Sequence, residues 1–280
     1  NMMNQLLTSS FKHPSMKEML KNAFKKGLNV IPDQAARLLA EEVNYQFLHL
    51  PSFTSKILND NNRAQNNENV FEKLTFVQDL ISIFKYLTCK DVFEAYYHLY
   101  LSRIILILKS SVIRVDEYFA KLLCENCGDE YTKRIDSIFN DLHNSSRILF
   151  EFHEEEKKIN KVSPSYFKAL VLDRSSWITN VDDVHQTPIE TPSNVTIVLS
   201  NFVQFYLSRN PGKQLEWNHQ FSRVKLSVNN NSIREIQCNG IAATILCLFN
   251  NKKVLSKKEI MELCKGNEKI IEETIKALKS

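Results

Sequence analysis

Glycine and proline are scarce in this chain: its 280 residues include only 5 Gly and 7 Pro. Because these two residues mark turns and helix ends, their scarcity favours long helices over a turn-rich β fold. Long apolar runs are also missing, and none reaches the roughly 18 residues that a transmembrane helix needs. The first residues have neither the basic lead nor the apolar core of a secretion signal. The composition therefore predicts a helix-rich globular protein with no membrane partner.

The cysteines do not show the spacing of a disulfide framework, and several lie in apolar helical runs. This pattern is typical of a reducing compartment, so we expect the protein in the cytoplasm and nucleus. The formal net charge is only +4 and the basic residues are scattered, so the composition predicts no nucleic-acid partner. The cysteines are Cys89, Cys124, Cys127, Cys238, Cys247 and Cys264.

Apolar residues recur at helical spacing over most of residues 1–160. The clearest stripe follows Asp91, which we predict caps this helix, and repeats apolar pairs every four positions as far as Leu108. Gly128 is a good stop signal for the next helix. Helices joined by short loops predict an antiparallel bundle over residues 1–160.

The pattern changes near residue 160. Residues 167–172 are short and apolar and predict a strand. Ser193 is predicted to cap a helix that ends at the Asn210-Pro211-Gly212 turn. Two further segments predict a hairpin around residues 229–231. Residues 161–239 are therefore interpreted as a small α+β unit.

Residues 240–280 return to helical spacing. Ser256 and Glu259 have the spacing of a capping box, and Asn267 is predicted to cap the last helix. Three short helices in this order indicate the helix-turn-helix core of a partial winged helix, without its wing strands. The predicted fold class is mainly α with a small α+β unit: a helical bundle, an α/β subdomain and a partial winged helix.

Cys124-x-x-Cys127 is the one paired-cysteine motif in the sequence. A zinc site needs about four ligands and no second pair is present, so we favour a helix end with Cys124 in the core and predict no metal. No nucleophile elbow, phosphate loop or His-Glu-x-x-His motif occurs. The sequence therefore predicts no catalytic residue, no cofactor and no enzymatic activity of its own.

Two groups of residues have both a functional and a plain structural interpretation. Tyr96, Tyr97 and Tyr100 could form an aromatic binding surface, but their place in an apolar helical stripe favours core packing. Four lysines around the predicted helix-turn-helix could contact DNA, but such a run is more often a solvated face. These lysines are Lys252, Lys253, Lys257 and Lys258.

Four segments, in order along the chain, resemble the cullin family. Lys90–Tyr97 resembles the family's Lys-Asp-Val-Phe-x-x-Phe/Tyr-Tyr segment, and Cys127–Ile135 resembles its next bundle helix. Ser176-Trp177 is similar to its Ser/Tyr-Trp-Pro motif. The most specific segment, Phe205–Trp217, matches Phe-Tyr-x-x-(Lys/Arg)-x-x-Gly-(Arg/Lys)-x-Leu-x-Trp without a gap.

The resemblance implies a non-catalytic scaffold of a ubiquitin ligase. In cullins the α/β unit accepts a strand of a RING-box protein into its sheet, and the RING then binds a ubiquitin-conjugating enzyme. Substrate adaptors bind N-terminal repeats, which have no counterpart in this chain. The resemblance also stops before the winged helix that carries the neddylation lysine, so we assign no lysine to that role.

By position in the family pattern, nine residues are predicted to bind the RING-box strand or to build the sheet around it. For both tryptophans of this set, plain core packing is the alternative. The nine residues are Phe167, Ala169, Leu170, Val171, Leu172, Trp177, Leu215, Trp217 and Phe221.

Three other hypotheses remain open at this point. The chain could be a cullin-like scaffold of the anaphase-promoting complex, which would use its own RING partner. It could be a winged-helix nucleic-acid-binding protein, which would show salt-dependent DNA affinity. It could also be an enzyme in its own right, which would turn over substrate without a RING partner.

Overall fold

The computed structural model divides into two compact units. Unit 1 comprises Asn1–His143 and Val171–Ile178, and unit 2 comprises Asn144–Leu170 and Thr179–Ser280. The division cuts the chain at points other than the predicted domain boundaries, which remain a prediction. Within the two units the structure describes residues 14–49, 76–108, 113–160, 167–177, 189–230 and 232–279.

Helices make up most of the described residues, and none of them combines the length and apolarity that would let it cross a bilayer. The mainly helical fold class with a small sheet is confirmed. The helices are α1 (Pro14–Leu28), α2 (Pro32–His49), α3 (described at residues 76–84), α4 (Lys90–Arg103), α5 (Ile113–Cys127), α6 (Asp129–Asn160), α7 (Ser193–Arg209), α8 (Gly240–Leu248), α9 (Lys257–Cys264) and α10 (Glu268–Lys279). A π-helical turn, Ile104–Leu108, continues α4.

The core of unit 1 is built from aromatic and branched side chains of α2 to α6. Tyr97 is 1% exposed; its ring stacks on Phe93 and meets Phe119 edge-on with centroids 5.3 Å apart. Tyr96 and Tyr100 are half-buried on the same helix. Core packing is therefore the observed role of Tyr97, as the helical stripe predicted.

Two predicted helix starts are wrong by one or two residues. α4 begins at Lys90, so Asp91 lies in its first turn, where its charge favours the helix dipole, and it does not cap the helix. α7 begins at Ser193, so Pro192 is at the cap position. The predicted capping box of Ser256 and the cap by Asn267 are both confirmed by hydrogen bonds to the first-turn amides.

The predicted hairpin is confirmed in unit 2. Strand β1 (Val224–Asn230) pairs antiparallel with β2 (Ser232–Cys238), and Asn230 pairs with Ser232 at the end of the ladder. Leu226 faces Ile236 on the apolar face of this sheet. No third strand occurs in the described residues.

The strand predicted at residues 167–172 is wrong in the isolated chain, because this segment has no regular secondary structure. A strand needs a neighbour to pair its N–H and C=O groups. No described segment of the chain provides one.

Helices α8, α9 and α10 share a small core in unit 2. Ile241, Ile260, Cys264 and Ile271 are buried there, and Ile189 packs on them from the segment before α7. The backbone N–H of Glu190 donates to the carbonyl of Cys264 over 2.9 Å and holds this segment against α9. The three-helix core agrees with the predicted helix-turn-helix, and its assignment to a winged helix stays a prediction.

Asn29 is expected to contribute more to stability than an ordinary surface asparagine. Its amide donates to the carbonyls of Lys25 and Tyr86, and its oxygen accepts from the amide and hydroxyl of Thr88. We predict that Asn29→Ala lowers the free energy of unfolding by about 2 kcal/mol, measured by chemical denaturation. Asn126→Ala, which removes one exposed bond to Leu122, is the control and should change it by less than about 0.5 kcal/mol. Equal losses would contradict the prediction.

Asp116 is predicted to make unit 1 less stable as the pH rises. Burial raises the pKa of its carboxyl from 3.8 to about 7, and the hydrogen bond from Tyr97 opposes this only in part. The native state therefore holds the proton more tightly than the unfolded state between about pH 4 and pH 7, and the free energy of unfolding falls across that range.

Asp116→Asn should remove most of this slope, because the amide oxygen still accepts the Tyr97 hydroxyl and carries no charge. Denaturation midpoints at pH 5 and pH 8 measure the slope. The control, Glu130→Gln, changes an exposed carboxylate and should keep the slope of the unmodified chain. A slope that survives in Asp116→Asn would show that another group causes it.

Candidate partner-binding site

Five aromatic side chains of unit 2 form one cluster, called the aromatic cluster below. Phe202 is 1% exposed at its centre. Its ring centroid lies 5.1 Å from that of Phe152, 5.5 Å from that of Phe167 and 5.7 Å from that of Trp217. Edge-on and tilted pairs at these separations are favourable beyond the area that they bury. Phe205 is the fifth member, 5.3 Å from Phe152.

The Phe205–Trp217 segment explains how the cluster closes. Phe205 is buried near the C-terminal end of α7. Arg209, the last residue of this helix, stacks on the Phe205 ring at 4.0 Å and pairs with Glu155 of α6. The chain then reverses at Gly212, whose φ of +84° suits a residue without a side chain. This turn allows Trp217 to return to Phe202.

The segment 167–170 is held by the same cluster. The ring of Phe167 packs on Phe202 and Trp217, and its carbonyl oxygen lies 3.0 Å from Nε2 of His153. Leu170 is 42% exposed and Lys168 is exposed, whereas Ala169 is half-buried. Four of the nine predicted site residues (Phe167, Ala169, Leu170 and Trp217) therefore belong to one arrangement of unit 2.

Val171, Leu172 and Trp177 belong to unit 1. Trp177 is 6% exposed in the helical core, and its indole nitrogen donates to Asp141 Oδ2 over 2.8 Å. The same carboxylate oxygen accepts the amide of Asp173 over 2.8 Å. Trp177 therefore packs in the core of unit 1, the alternative that the sequence offered, and its part in binding a partner stays a prediction.

His98 holds the other end of this segment by bonding the carbonyl of Ser176 over 2.8 Å. Burial lowers the pKa of His98, and the bond to Ser176 counteracts it in part. The neutral imidazole is thus the form that suits this buried place.

Leu215 and Phe221 are half-buried in unit 2, outside both strands of the hairpin. The amide of Phe221 donates to Asn218 Oδ1 over 3.2 Å, which is a turn contact. Their predicted part in binding a partner stays a prediction.

Sequence reasoning missed Phe152, His153 and Asp141, all on α6. Phe152 could have been predicted from the sequence, because the buried stripe of Ile138 and Leu142 continues at helical spacing to Ser145 and Phe152. His153 and Asp141 bond to segments distant in the sequence, and no local pattern marks such bonds.

The paired cysteines make ordinary polar contacts. The thiol of Cys124 is half-buried and donates to Asp129 Oδ1 over 2.9 Å, a bond that raises its pKa. Cys127 Sγ lies 3.7 Å from Lys90 Nζ. In the described part of the chain, no three His, Cys, Asp or Glu side chains meet in a way that could hold a metal ion.

Two of the four lysines near α9 are in ion pairs. Lys252 lies 3.1 Å from Glu259, and Lys257 lies 2.9 Å from Glu272. These pairs neutralise about half of the local positive charge, which weakens the argument for a phosphate-binding face.

The fold and the site together define a class of protein: a mainly helical protein whose small α+β unit is built around the aromatic cluster. Residues 1–149 match the cullin alpha solenoid domain, and residues 171–280 match the cullin alpha+beta domain. The chain belongs to the cullin family, as the four motifs predicted.

Curated relatives resemble the chain at low identity. It is 26% identical to mouse Cullin-4A over 246 residues, which cover 86% of this chain and 30% of the relative. It is 24% identical to Cullin-1 of Dictyostelium discoideum over 281 residues, covering 98% of the chain and 35% of the relative. Cullin-3A of Arabidopsis thaliana is 27% identical over 183 residues, 65% of the chain and 24% of the relative. The chain thus spans about a third of the length of the first two relatives.

The indole bond of Trp177 is expected to stabilise unit 1 measurably. Trp177→Phe keeps an aromatic ring but removes the donor to Asp141, and we predict a loss of about 1–2 kcal/mol in the free energy of unfolding. Denaturation followed by circular dichroism measures it. Trp217→Phe is the control and should lose less, since Trp217 is half-buried and its indole nitrogen has no hydrogen bond among the described residues. A larger loss for Trp217→Phe would contradict this account.

Proposed function

We propose that the chain is a non-catalytic scaffold that recruits a RING-box protein and, through it, a ubiquitin-conjugating enzyme. Membership of the cullin family supports the scaffold class. The observation that carries the finer proposal is the segment 167–170. Its half-buried and exposed side chains alternate with the period of an extended chain, and the aromatic cluster holds it without any strand beside it in the described residues.

Such a segment suits strand addition. The free N–H and C=O groups of an extended backbone bind a guest strand by main-chain hydrogen bonds, and alternate side chains select it. The aromatic cluster keeps the segment in place before the guest arrives, so less conformational entropy is lost on binding.

The scaffold contributes position and not acid–base chemistry. A conjugating enzyme held near a substrate reacts as if both were at high local concentration. That benefit requires a stiff support, which the closely packed core of unit 1 suits. Substrate adaptors, and a place of action in the cytoplasm and nucleus, are proposals of the same kind and concern the longer proteins of the family.

Leu170 offers a direct test, because its side chain is 42% exposed and its replacement disturbs little of the fold. We predict that Leu170→Asp weakens binding of a co-expressed RING-box protein at least about tenfold, since it places a charge on the proposed contact face. Co-purification followed by calorimetry measures the affinity.

Leu38→Asp is the matched control. Leu38 is 48% exposed on α2 of unit 1, so the same change there should leave the affinity unaltered. If both variants bind like the unmodified chain, the segment is not the binding site. If the unmodified chain binds no RING-box protein at all, the proposed function is wrong.

A further inference from the structure

Lys90 begins α4, and its ammonium group lies beside the sulfur atom that ends a neighbouring helix. Its Nζ is 3.7 Å from Sγ of Cys127, the last residue of α5, and 5.1 Å from the ring centroid of Phe84. The main-chain oxygen of Lys90 accepts the hydroxyl of Tyr131 from α6, which holds the start of α4 at this place. Both Lys90 and Cys127 are half-buried. Among the described residues no ion pair competes for the ammonium, so the thiol is the polar side chain that it contacts.

The surroundings of the cysteines differ in what they do to the reactivity of sulfur. A cation beside a thiol favours its attack on a peroxide, because negative charge develops on the sulfur. A carboxylate or an apolar environment does the opposite, and it raises the pKa of four other thiols, two mainly through a hydrogen bond to an aspartate and two mainly through burial. These four favour the protonated, unreactive form. They belong to Cys89, Cys124, Cys238 and Cys264.

We propose that Cys127 is a peroxide-reactive thiol and that Lys90 captures its oxidised form as a covalent S–N cross-link between α4 and α5. In the first step the sulfur attacks one oxygen of hydrogen peroxide and the O–O bond breaks. Cys127 is oxidised to a sulfenic acid, and the other oxygen is reduced and leaves as water. In the second step the unprotonated amine of Lys90 attacks the sulfur, the S–O bond breaks, and hydroxide leaves with the amine proton as a second water. One S–H and one N–H bond are lost for one S–N bond, and one peroxide yields two waters.

Cys124 is the competing nucleophile, because it lies three residues before Cys127 on α5. Residues at this spacing on a helix have Cβ atoms about 5–6 Å apart, whereas a disulfide needs about 3.5–4.5 Å, so the two cysteines can join only if the last turn of α5 distorts. The Cys124 thiol also donates its hydrogen to Asp129 over 2.9 Å. Lys90 carries its amine on a flexible four-carbon side chain that already contacts the sulfur, so rotation of that side chain can close the gap. The geometry therefore favours capture by Lys90.

The cross-link joins the start of α4 to the end of α5 and closes the chain between them into a loop. Such a closure restricts the unfolded chain and stabilises the native state. Oxidation should therefore raise the midpoint of chemical denaturation, and a thiol reductant, which reverses the oxidation, should restore it. Neither residue belongs to the candidate partner-binding site, so this inference does not depend on the proposed function.

Peptide mapping of the whole 280-residue chain after treatment with hydrogen peroxide tests the cross-link. The Lys90 peptide should appear joined to the Cys127 peptide with the loss of two hydrogen atoms, and dithiothreitol should release it. Cys124→Ser should keep this product. Lys90→Arg is the matched variant, because it leaves a cation beside the sulfur but its guanidinium does not lose a proton and cannot attack. It should lose the cross-link, and dimedone, which traps sulfenic acids, should then label Cys127.

The same experiments can overturn the proposal at each step. A disulfide between Cys124 and Cys127 as the main product contradicts capture by Lys90. Dimedone labelling of other cysteines in Lys90→Arg, with none on Cys127, contradicts the reactive thiol. A chain that keeps all its thiols at a peroxide concentration that oxidises an unstructured cysteine peptide contradicts both. Circular dichroism checks that each variant folds, and the map of the unmodified chain decides the question without any variant.

Discussion

The packing of Phe167 against Phe202 and Trp217 is the constraint on which the candidate site depends. No described strand lies beside residues 167–170. Full burial of a phenylalanine contributes about 1.5–3 kcal/mol, of which the half-buried Phe167 gains a part, and one hydrogen bond contributes about 1 kcal/mol. The ring and the His153 bond together are thus comparable to the few ladder bonds that a strand of this length would make. A side-chain anchor thus takes the place of a neighbouring strand among the described residues.

The helices could be predicted from the sequence because their signal is local. Apolar periodicity located the stripe of α4, and the Ser256–Glu259 and Asn267 caps depend on atoms three residues apart. The misplaced start of α7 has the same local origin: Pro192 can stand at the cap position, so Ser193 moves into the first turn. Boundaries are the weakest part of such predictions, since neighbouring residues compete for the same amides.

The candidate site could be predicted only in part, because its contacts join residues that are far apart in the sequence. Trp177 illustrates this. A tryptophan beside an apolar segment is compatible with a sheet as well as with a helical core, and its hydrogen bond to Asp141, 36 residues away in the sequence, fixes it in the core. The strand at residues 167–172 failed for a different reason. Apolar composition predicts a preference for extended backbone, but a strand also requires a neighbouring strand, and none lies beside this segment in the described residues.

The family motif and the proposed binding surface consist of different residues. The motif is therefore evidence for the fold, and the binding surface needs evidence of its own. In the Phe205–Trp217 segment, Phe205 is buried, Trp217 is half-buried and Gly212 makes the turn, so the motif describes how the aromatic cluster is built. Lys168 and Leu170 lie outside it and are exposed. The motif therefore describes how the candidate site is supported, and it does not contain the exposed residues of the segment 167–170.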